Sequence, residues 1–179
     1  MENWKILSSE YLSKHQYFTA RKDRCERSNG EIVPEYFVVE LPACVCAMAL
    51  TDDNEVIMIK QYRHPVAAIL WELPGGFIDE KEDPATAVAR ELLEETGYQF
   101  SSIEPLATVA ANPGVLNNYC HLFLARGGKK VAQQKLDANE DIEFKLFSLE
   151  EVKMMLQQNE IIQALHTTTI FYALQRLES

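Results

Sequence analysis

The chain has 179 residues, of which 47% are hydrophobic and 25% are charged, a balance typical of a single globular domain. Lys and Arg total 17 while Asp and Glu total 27, which gives a formal net charge of −10. This acidic excess argues against nucleic acid as a partner, and an anionic substrate would need a bound cation or a local cluster of basic side chains.

Strand-like segments fill the first part of the chain. Residues 1–40 mix short apolar runs with turns, and Asn29 followed by Gly30 predicts a hairpin. The stretches "EYFVVELPACVCAMAL" and "VIMIKQYR" predict further strands on either side of the polar turn "TDDNE". We expect a region of antiparallel N-terminal strands over 1–40 and a core over 41–179, within one domain spanning 1–179.

The second half of the chain predicts more strands and a helical C-terminus. The strands are "PLATVAA", "YCHLFLARG" and "DIEFKLFSL". Ser148 with Glu151 forms the capping box of one helix, and a second helix is expected from Ile161 to Leu177. With one further helix in the centre, these elements indicate an α/β fold with a mixed sheet. No apolar run could cross a membrane and the N-terminus does not resemble a signal peptide, so we expect a cytoplasmic protein with no membrane partner.

The central helix lies within "GGFIDEKEDPATAVARELLEETGY". Asp83 before Pro84 is a favourable helix start, and Gly97 is a favourable stop. At about 100° per residue the helix separates into two faces. The face expected to pack on the sheet consists of Ala85, Val88, Ala89, Leu92 and Leu93. The opposite face carries Glu91, Glu94 and Glu95.

The crowding of these three glutamates needs an explanation, because like charges three and four residues apart on a helix repel. Arg90 lies at the edge of the cluster, and the glycines before the helix allow the backbone to present carbonyl oxygens. Carboxylate and carbonyl oxygens are the ligands that Mg²⁺ prefers. The segment therefore predicts a divalent-cation site whose metal relieves the repulsion.

The same segment resembles the Nudix box, G-x5-E-x7-R-E-U-x-E-E-x-G-U, where U is a bulky aliphatic residue. The matching residues are Gly76, Glu82, Arg90, Glu91, Leu92, Glu94, Glu95 and Gly97. Only Tyr98 departs from the pattern, at a packing position. The segments "IKQYRHPV", "WELPGG" and "NEDIEFKLFSLEEV", together with Pro113, resemble the ADP-ribose and nucleoside-diphosphate-sugar pyrophosphatase branch of the Nudix hydrolases.

The resemblance implies a Nudix-type α/β/α sandwich and a metal-dependent hydrolase, with a homodimer formed through the N-terminal strands. Its substrate would be a nucleoside diphosphate sugar, and its cofactor Mg²⁺ or Mn²⁺. The implied metal ligands are the Gly76 carbonyl and the carboxylates of Glu91, Glu94 and Glu95. In the family pattern Glu82 orients Arg90, and Arg90 in turn holds a ligand carboxylate.

The resemblance also implies residues that bind substrate and move protons. Arg63 would grip phosphate and Glu72 would lie beside the metal site, while Pro113 marks ADP-ribose-type substrates. Glu140 would be the general base, with Glu91 as the rival candidate.

The sequence leaves the nucleobase and the sugar open. Asn117 and Asn118 stand where ADP-ribose-specific enzymes often carry an acidic residue, so GDP-mannose is as open as ADP-ribose. Two alternatives are a non-catalytic nucleotide-sensing Nudix module and a diphosphatase of dinucleotides or coenzyme A. The intact box argues against the first, and no specificity motif supports the second.

Overall fold

A computed structural model describes residues 2–15, 18–136 and 141–178 of the protein. The chain divides into two compact units, one over 1–42 and 110–119 and the other over 43–109 and 120–179. Residues 110–119 belong with the N-terminal residues, which no sequence pattern predicted. A single domain over 1–179 stays a prediction.

The first unit is built on an antiparallel sheet with the strand order β1-β2-β3. These strands span Lys5–His15 (β1), Phe18–Glu26 (β2) and Ile32–Glu40 (β3). The turn before β3 contains Gly30 at a φ of 83°, which a glycine adopts without strain, so the predicted hairpin is confirmed. The amide of Val39 donates to the Val115 carbonyl, and this contact attaches residues 110–119 to β3.

The second unit contains a mixed sheet with the strand order β6-β5-β4-β8-β7, and β9 pairs with β5. The strands span Cys44–Thr51 (β4), Val56–Arg63 (β5), Ala68–Glu72 (β6), Tyr98–Val109 (β7), Cys120–Lys130 (β8) and Ile142–Phe147 (β9). The neighbours β4 and β8 run parallel, whereas β5 pairs antiparallel with β4, β6 and β9.

Helices cover both faces of this sheet. They span Pro84–Thr96 (α1), Leu149–Gln157 (α2) and Ala164–Glu178 (α3). Alternate residues of β4 face opposite layers: Val45, Ala47 and Ala49 pack with α1, and Cys46, Met48 and Leu50 pack with α2 and α3. The predicted α/β/α sandwich with a mixed sheet and N-terminal antiparallel strands is confirmed. In the described ranges no helix has both the length and the apolarity needed to cross a bilayer.

The ends of α1 follow the sequence signals, but its buried face is displaced from the predicted one. The Asp83 carboxylate accepts hydrogen bonds from the amides of Ala85 and Thr86, and Gly97 ends the helix at a φ of 77°. Ala85 and Ala89 are exposed, contrary to prediction, while the helix buries Ala87, Val88, Leu92, Glu95 and Thr96. The larger side chains of Val88 and Leu92 set the packing, and an alanine on either flank contributes too little apolar area to change it.

Candidate active site

The loop between β6 and α1 lies along β4 as if it were another strand. The carbonyl of Pro74 accepts from the Ala47 amide at 3.1 Å, and the carbonyl of Gly76 accepts from the Val45 amide at 2.9 Å. The amide of Ile78 then donates to the Ala43 carbonyl at 2.9 Å. These bonds fix the path of the loop that carries Gly75 and Gly76, which we call the glycine loop.

Close packing at Gly75 and Gly76 leaves no room for a side chain. Gly75 has a φ of 154°, and a Cβ added there would collide with the Val45 carbonyl oxygen and lie 2.8 Å from the Cys46 Cα. A Cβ added at Gly76 would lie 2.5 Å from Oε1 of Glu91. The missing side chain of Gly76 therefore creates the space in which the Glu91 carboxylate lies.

Glu95 fixes the same loop from the helix side. Its carboxylate oxygen accepts a hydrogen bond from the Gly75 amide at 2.9 Å, and the residue is only 3% exposed. A buried carboxylate costs much free energy unless it is hydrogen-bonded or paired. Glu95 thus differs from Glu91 and Glu94, which contact Arg90 instead, although the sequence places all three on one face.

Arg90 connects the carboxylates of the box to one another. Its Nη1 donates to Glu91 at 2.8 Å and to Glu94 at 3.1 Å, and its Nε and Nη2 bind the two oxygens of Glu82 at 3.1 and 3.0 Å. Nη2 also donates to the Phe77 carbonyl at 3.1 Å. A guanidinium carries five N–H donors on three nitrogens in one plane, whereas an ammonium carries three on a single nitrogen.

This cluster changes the protonation behaviour of its members. The hydrogen bonds from Arg90 hold the pKa of Glu82 below its ordinary value. In return, the surrounding carboxylates raise the pKa of Arg90, and Glu82 has the largest effect. Glu82 is thus charged at neutral pH and Arg90 is protonated. The resemblance predicts that Glu82 orients Arg90, and the geometry agrees with that role.

The donor set has the chemistry that a hard divalent cation requires. The Gly76 backbone lies against the Glu91 carboxylate, and Glu91 and Glu94 both bind Nη1 of Arg90. The groups available as ligands are therefore carboxylate and carbonyl oxygens. In the part of the chain that the structure describes, no three His, Cys, Asp or Glu side chains are already gathered closely enough to hold a metal. The donor types fit Mg²⁺ or Mn²⁺, and their use as ligands stays a prediction.

Arg63 and Glu72, both predicted to lie near substrate, bind each other across the β5–β6 hairpin. Nη2 of Arg63 lies 2.6 Å from Oε2 of Glu72, and Nε lies 3.0 Å from Oε1. The Glu72 side chain is fully buried, whereas that of Arg63 is 43% exposed. Glu72 therefore orients an arginine whose side chain reaches the surface.

Two predicted residues are not placed in this site by the structure. Glu140, the candidate general base, lies outside the described residues. Pro113 belongs to the first unit, between Asn112 and Gly114 in the segment attached to β3. Their roles in proton transfer and substrate binding stay predictions.

Two further contacts hold the glycine loop, and neither was predicted from the sequence. One is the Phe77 carbonyl bound by Arg90. The other is His166 on α3, whose Nδ1 accepts from the Leu73 amide at 2.6 Å. No local pattern marks either contact, since a lone histidine 93 residues away in sequence carries no spacing signal.

The two glycines allow a matched pair of substitutions with different expected outcomes. Gly75→Ala would force a Cβ against the β4 backbone, so we expect a loss of about 1–3 kcal/mol in the free energy of unfolding. Gly76→Ala would meet only the end of the flexible Glu91 side chain, so we expect near-normal stability with hydrolysis reduced about 10- to 100-fold. Chemical denaturation and steady-state kinetics of both variants measure the difference, and equal stabilities would contradict it.

Comparison with known families identifies the class of protein that this fold and site define. The NUDIX domain family matches residues 40–165, and the family described as the nucleoside diphosphate sugar hydrolase N-terminal domain matches residues 4–39. The chain belongs to the Nudix hydrolases.

Relatives and a solved structure match nearly the whole chain. The chain is 29% identical to the methanol dehydrogenase activator of Bacillus methanolicus, over 94% of each protein. It is 28% identical to the ADP-ribose pyrophosphatase of Bacillus subtilis (strain 168), over 97% of this chain and 95% of the relative. It is 31% identical to the ADP-ribose pyrophosphatase of Mycobacterium tuberculosis, over 91% of this chain and 79% of the relative. A crystal structure of an ADP compounds hydrolase has the same fold, with a TM-score of 0.87 at 21% identity over 99% of this chain and 96% of that one.

Proposed function

We propose that the protein hydrolyses the diphosphate bond of nucleoside diphosphate sugars, such as ADP-ribose or GDP-mannose, to a nucleoside monophosphate and a sugar phosphate. The observation that carries this proposal is the Arg90 cluster, which holds Glu82, Glu91 and Glu94 beside the Gly76 backbone. Relatives named ADP-ribose pyrophosphatase and GDP-mannose pyrophosphatase support the substrate class.

In the proposed reaction, water forms a bond to one phosphorus atom of the diphosphate while the bond from that atom to the bridging oxygen breaks. The other phosphate leaves with the bridging oxygen and the group that it carries, so the products are a nucleoside monophosphate and a sugar phosphate. Bound Mg²⁺ or Mn²⁺ would be held by the Gly76 carbonyl, Glu91, Glu94 and Glu95, and would neutralise the charge of the diphosphate. Arg63, oriented by Glu72, would bind a phosphate oxygen through its guanidinium. Glu140 would take the proton of the attacking water, with Glu91 as the rival base.

The test is a panel of nucleotides incubated with the purified protein and Mg²⁺ or Mn²⁺. We expect release of AMP or GMP together with a sugar phosphate, loss of this release in EDTA, and recovery when the metal is restored. The panel should contain ADP-ribose, GDP-mannose, a dinucleotide and coenzyme A. Turnover of only the last two would favour the alternative diphosphatase, and binding without turnover of any would favour a nucleotide-sensing module.

We also infer that two copies of the chain associate through the first unit. This unit exposes large apolar side chains, including Trp4, Ile6, Tyr11, Leu12 and Phe37, and Ile6, Leu12 and Phe37 are each more than half exposed. Exposed apolar surface of this kind marks interaction sites in soluble proteins.

Sedimentation analysis measures this association. We expect the wild-type protein to sediment as a dimer, and Leu12→Glu combined with Phe37→Glu to sediment as a monomer. A monomeric wild-type protein at micromolar concentration would contradict the inference. The cytoplasmic location expected from the sequence stays a prediction.

A further inference from the structure

His166 binds the start of the glycine loop from the C-terminal helix. Its Nδ1 accepts the hydrogen bond of the Leu73 amide at 2.6 Å, and the residue is only 7% exposed. Leu73 is fully buried and follows the last residue of β6, where the chain leaves the strand and enters the loop. A buried amide without an acceptor is costly, so this bond holds the backbone at the point where the chain leaves β6.

The histidine is neutral in this position. Nδ1 can accept a hydrogen bond only when it carries no proton, which places the ring proton on Nε2. Burial lowers the pKa of His166 to about 4, more strongly than the nearby Glu72 raises it. At neutral pH His166 is therefore a fixed acceptor.

The loop is held from both helical layers of the sandwich. Glu95 on α1 accepts from the Gly75 amide on one side, and His166 on α3 accepts from the Leu73 amide on the other. Between them runs the backbone that leads to Gly76. Glu72, immediately before Leu73, carries the carboxylate that orients Arg63.

We propose that His166 is a positioning residue for hydrolysis, because its hydrogen bond to Leu73 sets the backbone between the Arg63–Glu72 pair and Gly76. It acts through Leu73 and touches neither substrate nor the reacting atoms. Loss of this hydrogen bond should therefore lower kcat and leave KM nearly unchanged, since a small displacement of a positioned group slows the reaction of the bound substrate more than it weakens substrate binding. This inference rests on the proposed function.

A set of substitutions separates positioning from packing. Asn places an acceptor one bond from Cγ, as Nδ1 does, whereas Gln places it one bond further out and Leu has none. We expect His166→Leu and His166→Gln to lower kcat about 10- to 100-fold with KM changed less than about threefold. We expect His166→Asn to recover kcat to within about fivefold of the wild-type value.

Thr169 supplies the matched control, because it is a buried polar residue one turn further along the same face of α3. Its hydroxyl donates to the Leu165 carbonyl and to Cys46 Sγ, and neither bond involves the backbone of the glycine loop. Thr169→Val should reduce stability but leave kcat within about twofold of wild type. If the Leu variant does not fold, the comparison of Asn with Gln decides.

A second readout does not need activity. Amide hydrogen exchange over residues 70–78, measured by mass spectrometry, should be faster in the Leu and Gln variants than in the Asn variant. If the wild-type protein hydrolyses no nucleotide, the proposed function fails. The exchange measurement still decides whether the His166 side chain holds the glycine loop in place. Equal exchange in all variants, or kcat for Asn no higher than for Gln, would overturn the inference.

Discussion

Replacing Glu95 by Gln is expected to lower kcat for nucleotide sugar hydrolysis about 1000-fold, which corresponds to about 4 kcal/mol of transition-state stabilisation. The amide keeps an oxygen that can accept from the Gly75 amide, so the loop should retain its path. What disappears is the negative charge that, in the proposed site, holds a divalent cation. Steady-state kinetics together with Mn²⁺ titration of the folded variant measure both losses.

The control is Glu80→Gln, which removes the same charge from an exposed position in the segment before α1. Its kcat should stay within about twofold of wild type, because a screened surface charge contributes little. If Glu95→Gln retained a rate within tenfold of the wild-type rate, the assignment of Glu95 as a metal ligand would be wrong.

Arg90→Lys is the second substitution with a large expected effect. Lysine keeps the positive charge, but its three donors on one nitrogen cannot reproduce the five contacts that the guanidinium nitrogens make with three carboxylates and a carbonyl. We expect kcat to fall about 10- to 100-fold as the carboxylates lose their common partner. The same exchange at Arg27, an exposed residue paired with Glu31, serves as the control and should leave kcat unchanged.

The stability of the Arg90 variant should also depend on pH in a defined direction. Arg90 lowers the pKa of Glu82 in the folded protein, so its stabilising effect is present above the ordinary carboxylate pKa and is lost as the pH falls through the lowered value. The difference in stability between wild type and Arg90→Lys should therefore shrink on acidification. A difference that grew at low pH would contradict the pairing.

The local parts of the fold could be predicted because their causes are local. Asp83 caps α1 through bonds to amides two and three residues away, and Gly97 ends the helix with its own conformation. The start of α3 was predicted three residues early, at Ile161. There the Gln163 side chain accepts from the amides of Leu165 and His166, so the helix begins at Ala164, and glutamine is not a residue that usually signals a helix start.

The contact of Arg90 with Glu94 was predictable, because residues four apart on one helix are neighbours. Contacts that depend on the tertiary fold were not predictable. Arg63 was predicted to bind phosphate and Glu72 to lie beside the metal site, and only the β5–β6 hairpin shows that they bind each other. The burial of Glu95 against Gly75 likewise depends on the path of the loop along β4, and no sequence pattern predicts that path.

The alignment of the glycine loop with β4 also limits how the enzyme can diversify. The loop bonds to alternate residues along β4 and the residue before it, namely Ala47, Val45 and Ala43. An inserted residue would shift this register by one and turn the Gly76 carbonyl away from its present partner, the Val45 amide. Length changes in this loop would then break the sheet and the site together. New substrate preferences would have to arise in segments that bond to no strand of the core.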